Sequence, residues 1–350
     1  MPLVAAETHI GGDSLTAMES YYWSCADASV VDAANRAVVG PARSNGPFVS
    51  YFRLSGRMDS EAFRPAKGRH ELSDYRCDYD AAGVVVGGAF EHKSPTGRLR
   101  VGIAAGEIER RYDWFYSGSS NLLGGAKDSI IGPILKGAND RAILCGIFSE
   151  MECIDEDRCR YGVAMSVSVA NGKPNWATEN QSIEFSSIRG SLEGSVLLRS
   201  SDLSFGPFVR GSYDSGDLSF HAIEKNIPKE TPDSSVNEME YTSHGIELQA
   251  GFKGEKHITK HASVRFQISA YVPLRHSASV DFYDTSSPHG KDTPTSSFKT
   301  EEKQRNGVSG SLGFHGRVGS IWEVAIEGGA IARSGTDFSV RGNASVACEF

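Results

Sequence analysis

The stretch Phe338-Ser-Val340-Arg-Gly342-Asn-Ala344-Ser-Val346-Ala-Cys348-Glu-Phe350 decides the fold. Its even positions are all apolar or glycine. Its odd positions Ser339, Arg341, Asn343, Ser345 and Glu349 are polar, with Ala347 the exception. Side chains of an extended chain point alternately to opposite faces. A period of two held over this length therefore specifies a strand with one apolar and one wet face, here ending on an aromatic residue.

The same pattern recurs upstream. Over 261–272, Ala262, Val264, Phe266, Ile268, Ala270 and Val272 oppose His261, Ser263, Arg265, Gln267 and Ser269. Ile246, Leu248, Ala250 and Phe252 oppose Glu247, Gln249 and Lys253. Over 308–318, Val308, Leu312, Phe314 and Val318 oppose Ser309, Ser311, His315 and Arg317. Trp322, Val324 and Ile326 oppose Glu323 and Glu327. Twelve strands are expected, at 47–56, 78–91, 97–107, 141–151, 159–170, 186–198, 201–213, 242–254, 261–275, 307–318, 320–333 and 336–350. The fourth and seventh alternate less cleanly, and Pro207 lies inside the seventh, where it lacks a donor for the ladder.

The connections alternate as well. Those near Lys93–Thr96, Arg199-Ser200 and Gly319 are short, while 108–140, 214–241 and 276–306 are long. Only the last connection, near Ser334-Gly335, departs from the rule. The long ones are rich in Ser, Pro, Asp and Lys, as in 283–294, and should be solvated. Tight turns at one end and long loops at the other mark an up-and-down membrane barrel.

Composition agrees. Glycine is abundant at 38 residues and hydrophobic residues reach only 39% of the 350. That suits an apolar outer face around a polar lumen. With 36 basic and 44 acidic residues the net charge is −8, without the basic stripe of a nucleic-acid binder. No run approaches the roughly 18 apolar residues of a membrane helix, so membrane residence must come from strands. The opening residues Met-Pro-Leu-Val-Ala-Ala-Glu-Thr-His lack a basic segment and a long apolar core. They do not read as a secretion leader, so a barrel implies a longer precursor.

Six cysteines are present: Cys25, Cys77, Cys145, Cys153, Cys159 and Cys348. Cys153 and Cys159 bracket a short segment that could close a disulfide loop in an oxidising compartment; free thiols are the plainer reading. No second Cys or His pair has metal spacing, so no metal or other cofactor is expected.

Residues 14–39 read as one helix, capped by Asp13 or Ser14 and stopped at Gly40-Pro41. At 1.5 Å per residue it would be roughly 40 Å long. Asp27, Asp32, Asn35 and Arg36 make it too polar for lipid. It is either a surface amphipathic helix or a helix threading a water-filled lumen.

The fold expected is therefore all-β: a transmembrane, twelve-stranded, antiparallel up-and-down β-barrel over 47–350, preceded by residues 1–46 with the helix. A soluble sandwich would also alternate, with its apolar faces inward. The barrel is preferred because Glu193, Glu247, Arg265, Glu323 and Arg341 place charge in mid-strand, and because the strand count is even.

Three segments, with the C-terminal strand, bring a family into view. Tyr79-Asp-Ala-Ala-Gly83-Val-Val-Val-Gly87-Gly-Ala-Phe90 and Gly97-Arg-Leu-Arg-Val101-Gly-Ile103-Ala-Ala-Gly106 are glycine-rich strands. Ile188–Gly194 followed by Leu203-Ser-Phe205-Gly-Pro207-Phe208 is a hairpin with proline before an aromatic. Over about residues 14–350 the chain resembles the translocator domain of autotransporters, the type V secretion proteins. The resemblance implies a helix inside a twelve-stranded barrel in the bacterial outer membrane, supporting export of an N-terminal passenger.

It also implies a monomer whose partners are outer-membrane lipid, the barrel-assembly machinery and its own passenger. Gly342, Val346, Cys348 and Phe350 would be the assembly signal, read by strand addition with side-chain pockets at alternate positions; Cys348 is smaller than the residue usual there. The lumen would be lined by Glu193, Glu247, Gln249, Arg265, Arg317, Glu323, Glu327 and Arg341, facing Asp27, Asp32, Asn35 and Arg36 of the helix. For each of these the plainer role is a charge that keeps the pore wet. Fewer than fifteen residues precede the helix. The helix holds no Asn-Asn pair, only Asn35-Arg36, so self-cleavage is not expected.

A plain outer-membrane pore or adhesin with a helical plug would share every barrel feature. An outer-membrane hydrolase would need a nucleophile, His and carboxylate at one rim. His92, His257 and His261 fall near short turns, and His221, His276 and His289 in long loops, none beside a Ser or Cys signature. No enzyme activity is expected. A soluble β-rich binding protein would not partition into detergent.

Overall fold

The computed structural model describes residues 30, 32–39, 45–59, 75–116, 138–154, 159–174, 181–222, 238–283, 296–301, 306–333 and 338–348. A helical segment, α1, covers residues 32–39. Thirteen strands follow: β1 (Gly46–Asp59), β2 (Tyr75–Ser94), β3 (Gly97–Tyr116), β4 (Ala138–Ile154), β5 (Cys159–Pro174), β6 (Gln181–Ser200), β7 (Leu203–Ala222), β8 (Glu238–Thr259), β9 (Ala262–Tyr283), β10 (Ser296–Glu301), β11 (Gly307–Val318), β12 (Trp322–Arg333) and β13 (Phe338–Cys348).

All of these pair antiparallel, and β13 returns to β1 from Phe48↔Ala347 to Arg57↔Phe338, closing the sheet on itself. Strand β9 pairs with β8 on one side. On its other side it meets β11 along Ala262–Tyr271 and β10 along Ser277–Phe282, in one continuous register. β10 and β11 are thus two pieces of one strand position, and the barrel has twelve. Closure removes the unpaired edges that lipid cannot satisfy.

Each of the twelve expected strands corresponds to a strand position, but several run further towards the long-loop end. β3 reaches Tyr116, β7 Ala222 and β9 Tyr283, while β8 starts at Glu238. The stretch 276–306, read as a loop, carries strand at 276–283 and 296–301. A membrane strand needs only about 9–11 residues to cross the bilayer. β8 and β9 have 22 each, whereas β13 has 11. The extensions lie beyond the length a crossing requires, and in β9 they keep a short alternation, Ala278, Val280 and Phe282 against Ser277, Ser279 and Asp281, inside a stretch read as loop.

The prolines in mid-strand, Pro207 and Pro273, sit at ladder defects, while Pro47 and Pro174 lie at strand ends. Between Ser195↔Phe208 and Leu198↔Phe205, the β6–β7 ladder makes no pairs at Val196 and Leu197, opposite Pro207 and Gly206. Pro207 still pairs across to Phe252 on β8. The β8–β9 register shifts between Ile246↔Arg275 and Glu247↔Pro273, leaving Leu274 as the extra residue of a bulge. A residue without an N–H is tolerated where no ladder bond is required of it.

The faces divide as the alternation requires. Val49, Val84, Ile103, Ile147, Met165, Leu192, Val209, Phe252, Ile268, Leu312, Ile326 and Val346, one from each strand position, are all exposed on the outside. A continuous apolar belt of this kind faces lipid rather than water. It excludes the sandwich, in which the same residues would point inward.

Tight turns at 95–96, 201–202, 260–261 and 319–321 close one end. Ser201 (φ 39°) and Gly319 (φ 67°) supply left-handed residues there, as short hairpins demand. Ser201 Oγ donates to Asp202 Oδ1 at 2.8 Å and holds that carboxyl below the ordinary carboxylate range.

Candidate functional site

The closed sheet encloses a lumen, and α1 lies in it. Val30, Ala33, Ala34, Ala37 and Val38 are all buried, none more than 4% exposed. The wall formed by β1 to β4 is apolar to match. Phe48, Phe52 and Leu54 (β1), Val85 (β2), Ile108 (β3), and Leu144 and Phe148 (β4) point inward and are buried. Phe48 and Phe148 meet at 6.4 Å between ring centres.

Glycines make room on this wall. Phe52, Phe48 and Phe148 lie over Gly83, Gly87 and Gly102, so that a Cβ at any of the three would strike a ring. A Cβ at Gly146 would come 2.6 Å from Val38 Cγ1, so the backbone of β4 is the seat of the helix. Burying a valine side chain stabilises by about 1.5–3 kcal/mol.

The opposite wall is polar. Glu193 on β6 pairs with Arg210 on β7 and Lys253 on β8. Gln249 donates to Ser269 and accepts from Arg210 (3.4 Å), and Ser269 and Ser309 share a hydrogen bond of 2.8 Å. Glu255 accepts from Ser263 (2.7 Å) and Arg265 (3.4 Å). His315 pairs with Glu323. At the tight-turn rim a further chain links Glu91, Arg98, Glu152 and Arg160, with Arg98 3.3 Å from Glu91 and Arg160 2.9 Å from Glu152. A cavity of about 340 Å³ remains beside the helix, bordered by Arg98, Glu152, Glu193, Lys253 and Arg265 among others.

The helix is fastened at three heights. At its C-terminal end, Arg100 Nη2 donates to the Val39 carbonyl at 2.8 Å while Nη1 binds Glu150 at 2.8 Å. A cation at this end also complements the helix dipole. The guanidinium lies 4.6 Å from the centre of the Phe148 ring. In the middle, Asn35 Nδ2 donates to Ser166 Oγ at 2.9 Å, and Ser166 bonds Ser191. Near its start, Asp32 binds Arg36 (3.3 Å) within the helix, Arg189 on β6 (3.1 Å) and Arg341 on β13 (3.4 Å). Arg100 lies close to the 95–96 turn, so α1 points its C-terminus at the tight-turn rim and its start deeper into the lumen. The chain resumes at Asn45 beside Glu91 and enters β1 there.

The eight residues expected in the lumen lie on inward-facing positions, at different heights. Glu193, Glu247, Gln249, Glu323 and Arg341 are buried; Arg265 and Glu327 border the cavity. Arg317 is one residue from the end of β11 and exposed at the rim, because alternation fixes a side chain's face but not its height. Of the four helix residues, Asp32, Asn35 and Arg36 meet the wall or one another, and Asp27 lies outside the described residues. Gly342 and Val346 face outward on β13 and Cys348 ends it; Phe350 lies outside the described residues. Cys153 and Cys159 are free thiols, with Cys153 opposite Tyr161 and Cys159 opposite Leu198. The suggested disulfide is not made in this structure.

Arg100, Arg189 and Arg210 were not singled out from the sequence, nor was the aromatic wall, and Lys253 was named on the polar face of its strand but not among the lumen residues. The available signal for the arginines was strand alternation alone. For the aromatics it was glycine opposite phenylalanine across a ladder, as in Phe52↔Gly83 and Phe48↔Gly87.

Together these features define a class: a closed, twelve-stranded membrane β-barrel with a helix packed into its lumen. No family model matches the sequence, and no curated protein matches it. Among solved structures, the chain is similar to the translocator domain of the autotransporter NalP from Neisseria meningitidis. The two are 11% identical, with 93% of this chain and 97% of that one covered at a TM-score of 0.53. It is also similar to the transport unit of the autotransporter AIDA-I from Escherichia coli, at 11% identity, 88% and 91% coverage and a TM-score of 0.51. At such identity the likeness is one of fold: this chain has the fold of the autotransporter translocator barrel.

Proposed function

We propose that the chain is the translocator domain of an autotransporter, seated in the bacterial outer membrane and exporting an N-terminal passenger through its lumen. Residues 47–350 are the barrel, and residues 1–46 hold the segment that threads it. The observation that carries this reading is the direction of α1. Its C-terminus feeds β1 at the tight-turn rim, so whatever precedes it is aimed through the barrel towards the long-loop end.

Lipid is the partner of the apolar belt. The barrel-assembly machinery is the partner of β13, through Gly342, Val346, Cys348 and Phe350. The lumen residues Glu193, Glu247, Gln249, Arg265, Glu323, Glu327 and Arg341 hydrate the pore and hold the helix, with Arg317 at its mouth. The reading assigns no catalytic role or cofactor, and the barrel acts as a monomer.

The test is an export assay. A secretion leader and an epitope-tagged passenger are placed ahead of the full chain and expressed in a bacterium with an outer membrane. Protease added to intact cells should remove the epitope while the barrel stays folded and heat-modifiable on a gel. An epitope that remains protected in cells with a folded barrel would favour a plain pore with a helical plug.

A further inference from the structure

Asp32 is held from opposite sides of the pore. Strands β6 and β13 lie six positions apart in a ring of twelve, so Arg189 and Arg341 face each other across the lumen. Both side chains are buried, 5% and 8% exposed. Arg189 Nη2 is 3.1 Å from Asp32 Oδ1, and Arg341 Nη1 is 3.4 Å from Oδ2, so each wall takes one oxygen. The wall's own acids are further off: Asp214 at 3.5 Å and Glu247 at 3.7 Å from Arg189, and Glu327 at 3.9 Å from Arg341. Arg189 Nε is buried with no hydrogen-bond partner among the described residues. Across the lumen, Gly329 leaves the space that Arg341 uses; a Cβ there would sit 3.2 Å from its Nε.

We propose that Arg189 and Arg341 form a carboxylate-binding site at the waist of the lumen. Its ligands are acidic side chains of the polypeptide in transit, and Asp32 is the one that rests there when transit ends. The identity of the ligand rests on the translocator reading; the site itself does not. The physical reason is that guanidinium cannot shed its charge. Two such groups buried at a waist stay costly until a carboxylate sits between them. A passing chain without acidic residues leaves them to the longer pairs with Asp214, Glu247 and Glu327 of the wall. One with acidic residues pauses at each, and the final carboxylate locks the helix.

The first arm is chemical rescue on the full chain in planar lipid bilayers. Asp32→Ala should raise open-state occupancy at least tenfold in chloride. Replacing chloride by acetate at equal ionic strength should return it to within twofold of the parent, since acetate restores the missing carboxylate. Arg189→Gln or Arg341→Gln added to Asp32→Ala should abolish that rescue. Asp32→Asn serves if the alanine variant does not refold. Acetate acting no better than chloride would overturn the site.

The second arm compares passengers carrying a Glu tract or a Gln tract, by pulse-chase in cells. The Glu tract should leave the parent barrel at least threefold more slowly, and Arg189→Gln should erase the difference. Equal rates through the parent would overturn the role in transit while the acetate result stood. Export of neither passenger would overturn the translocator reading, and the assignment of the ligand with it.

Discussion

The two walls of the lumen hold the same helix by different physics. Along β1 to β4 the contact is dry except where Arg100 caps the helix end, with Phe48, Phe52, Leu54, Leu144 and Phe148 buried and Val38 pressed on Gly146. Along β6 to β8 it is ionic, with Arg189 paired to Glu247, and Glu193 to Arg210 and Lys253. Apolar packing is short-ranged and specific to shape, so the dry wall fixes where the helix sits. Charge pairs tolerate small shifts and are rebuilt with other partners, so the polar wall holds the helix less rigidly. Under the function proposed above, a pore that passes a polypeptide and ends occupied would use one wall of each kind.

The largest effect should follow from damage to the dry wall. Phe148→Ala should cost about 3–5 kcal/mol in urea unfolding from lipid vesicles, since the ring is buried against Phe48 and Arg100. Val346→Arg, on the belt outside, should cost about 2–4 kcal/mol at bilayer midplane in the same assay; little loss would mean that β13 does not face lipid. Gly146→Leu should cost about 1–3 kcal/mol by overpacking. It should also expel the helix, read as a rise in pore conductance, whereas the polar-wall change Ser269→Ala should leave conductance unchanged. On the polar wall, Glu193→Gln should cost about 1 kcal/mol, because partly exposed Arg210 and Lys253 find water instead. That loss should shrink further as salt is raised. The smallest effect is Asn35→Ala, about 1 kcal/mol or less for one buried hydrogen bond to Ser166. If Glu193→Gln proved costlier than Phe148→Ala, the division of labour between the walls would be wrong.

The difference between the walls also explains what the sequence could tell. Where the lumen is polar, as along β8, β9, β11 and β13, alternation is clean, and Glu247, Gln249, Arg265 and Arg341 were legible as inward-facing. Where both faces carry apolar residues, as along β1, the buried Phe48 and Phe52 flank the exposed Val49 and Tyr51 with no contrast to separate them. Phe148, beside Ile147, was hidden for the same reason, whereas Arg100 alternates with Leu99 and Val101 and only its helix partner was hidden. Their meaning comes from what the helix brings to them. The pairing of Arg189 with Arg341 was beyond reach, since it depends on barrel closure setting two strands opposite each other. The strand extensions were lost because a crossing needs only about 9–11 residues, so the short alternation beyond it, as in Ser277–Phe282, was read as loop.

The most direct test of the threaded lumen is a crosslink between α1 and β4. With the native cysteines replaced by serine, Val38→Cys and Gly146→Cys are introduced together, and outer membranes are oxidised with copper phenanthroline. The account predicts a disulfide in barrels that remain heat-modifiable, absent from either single variant. Folded, heat-modifiable barrels that form no crosslink would place the helix outside the lumen and contradict it.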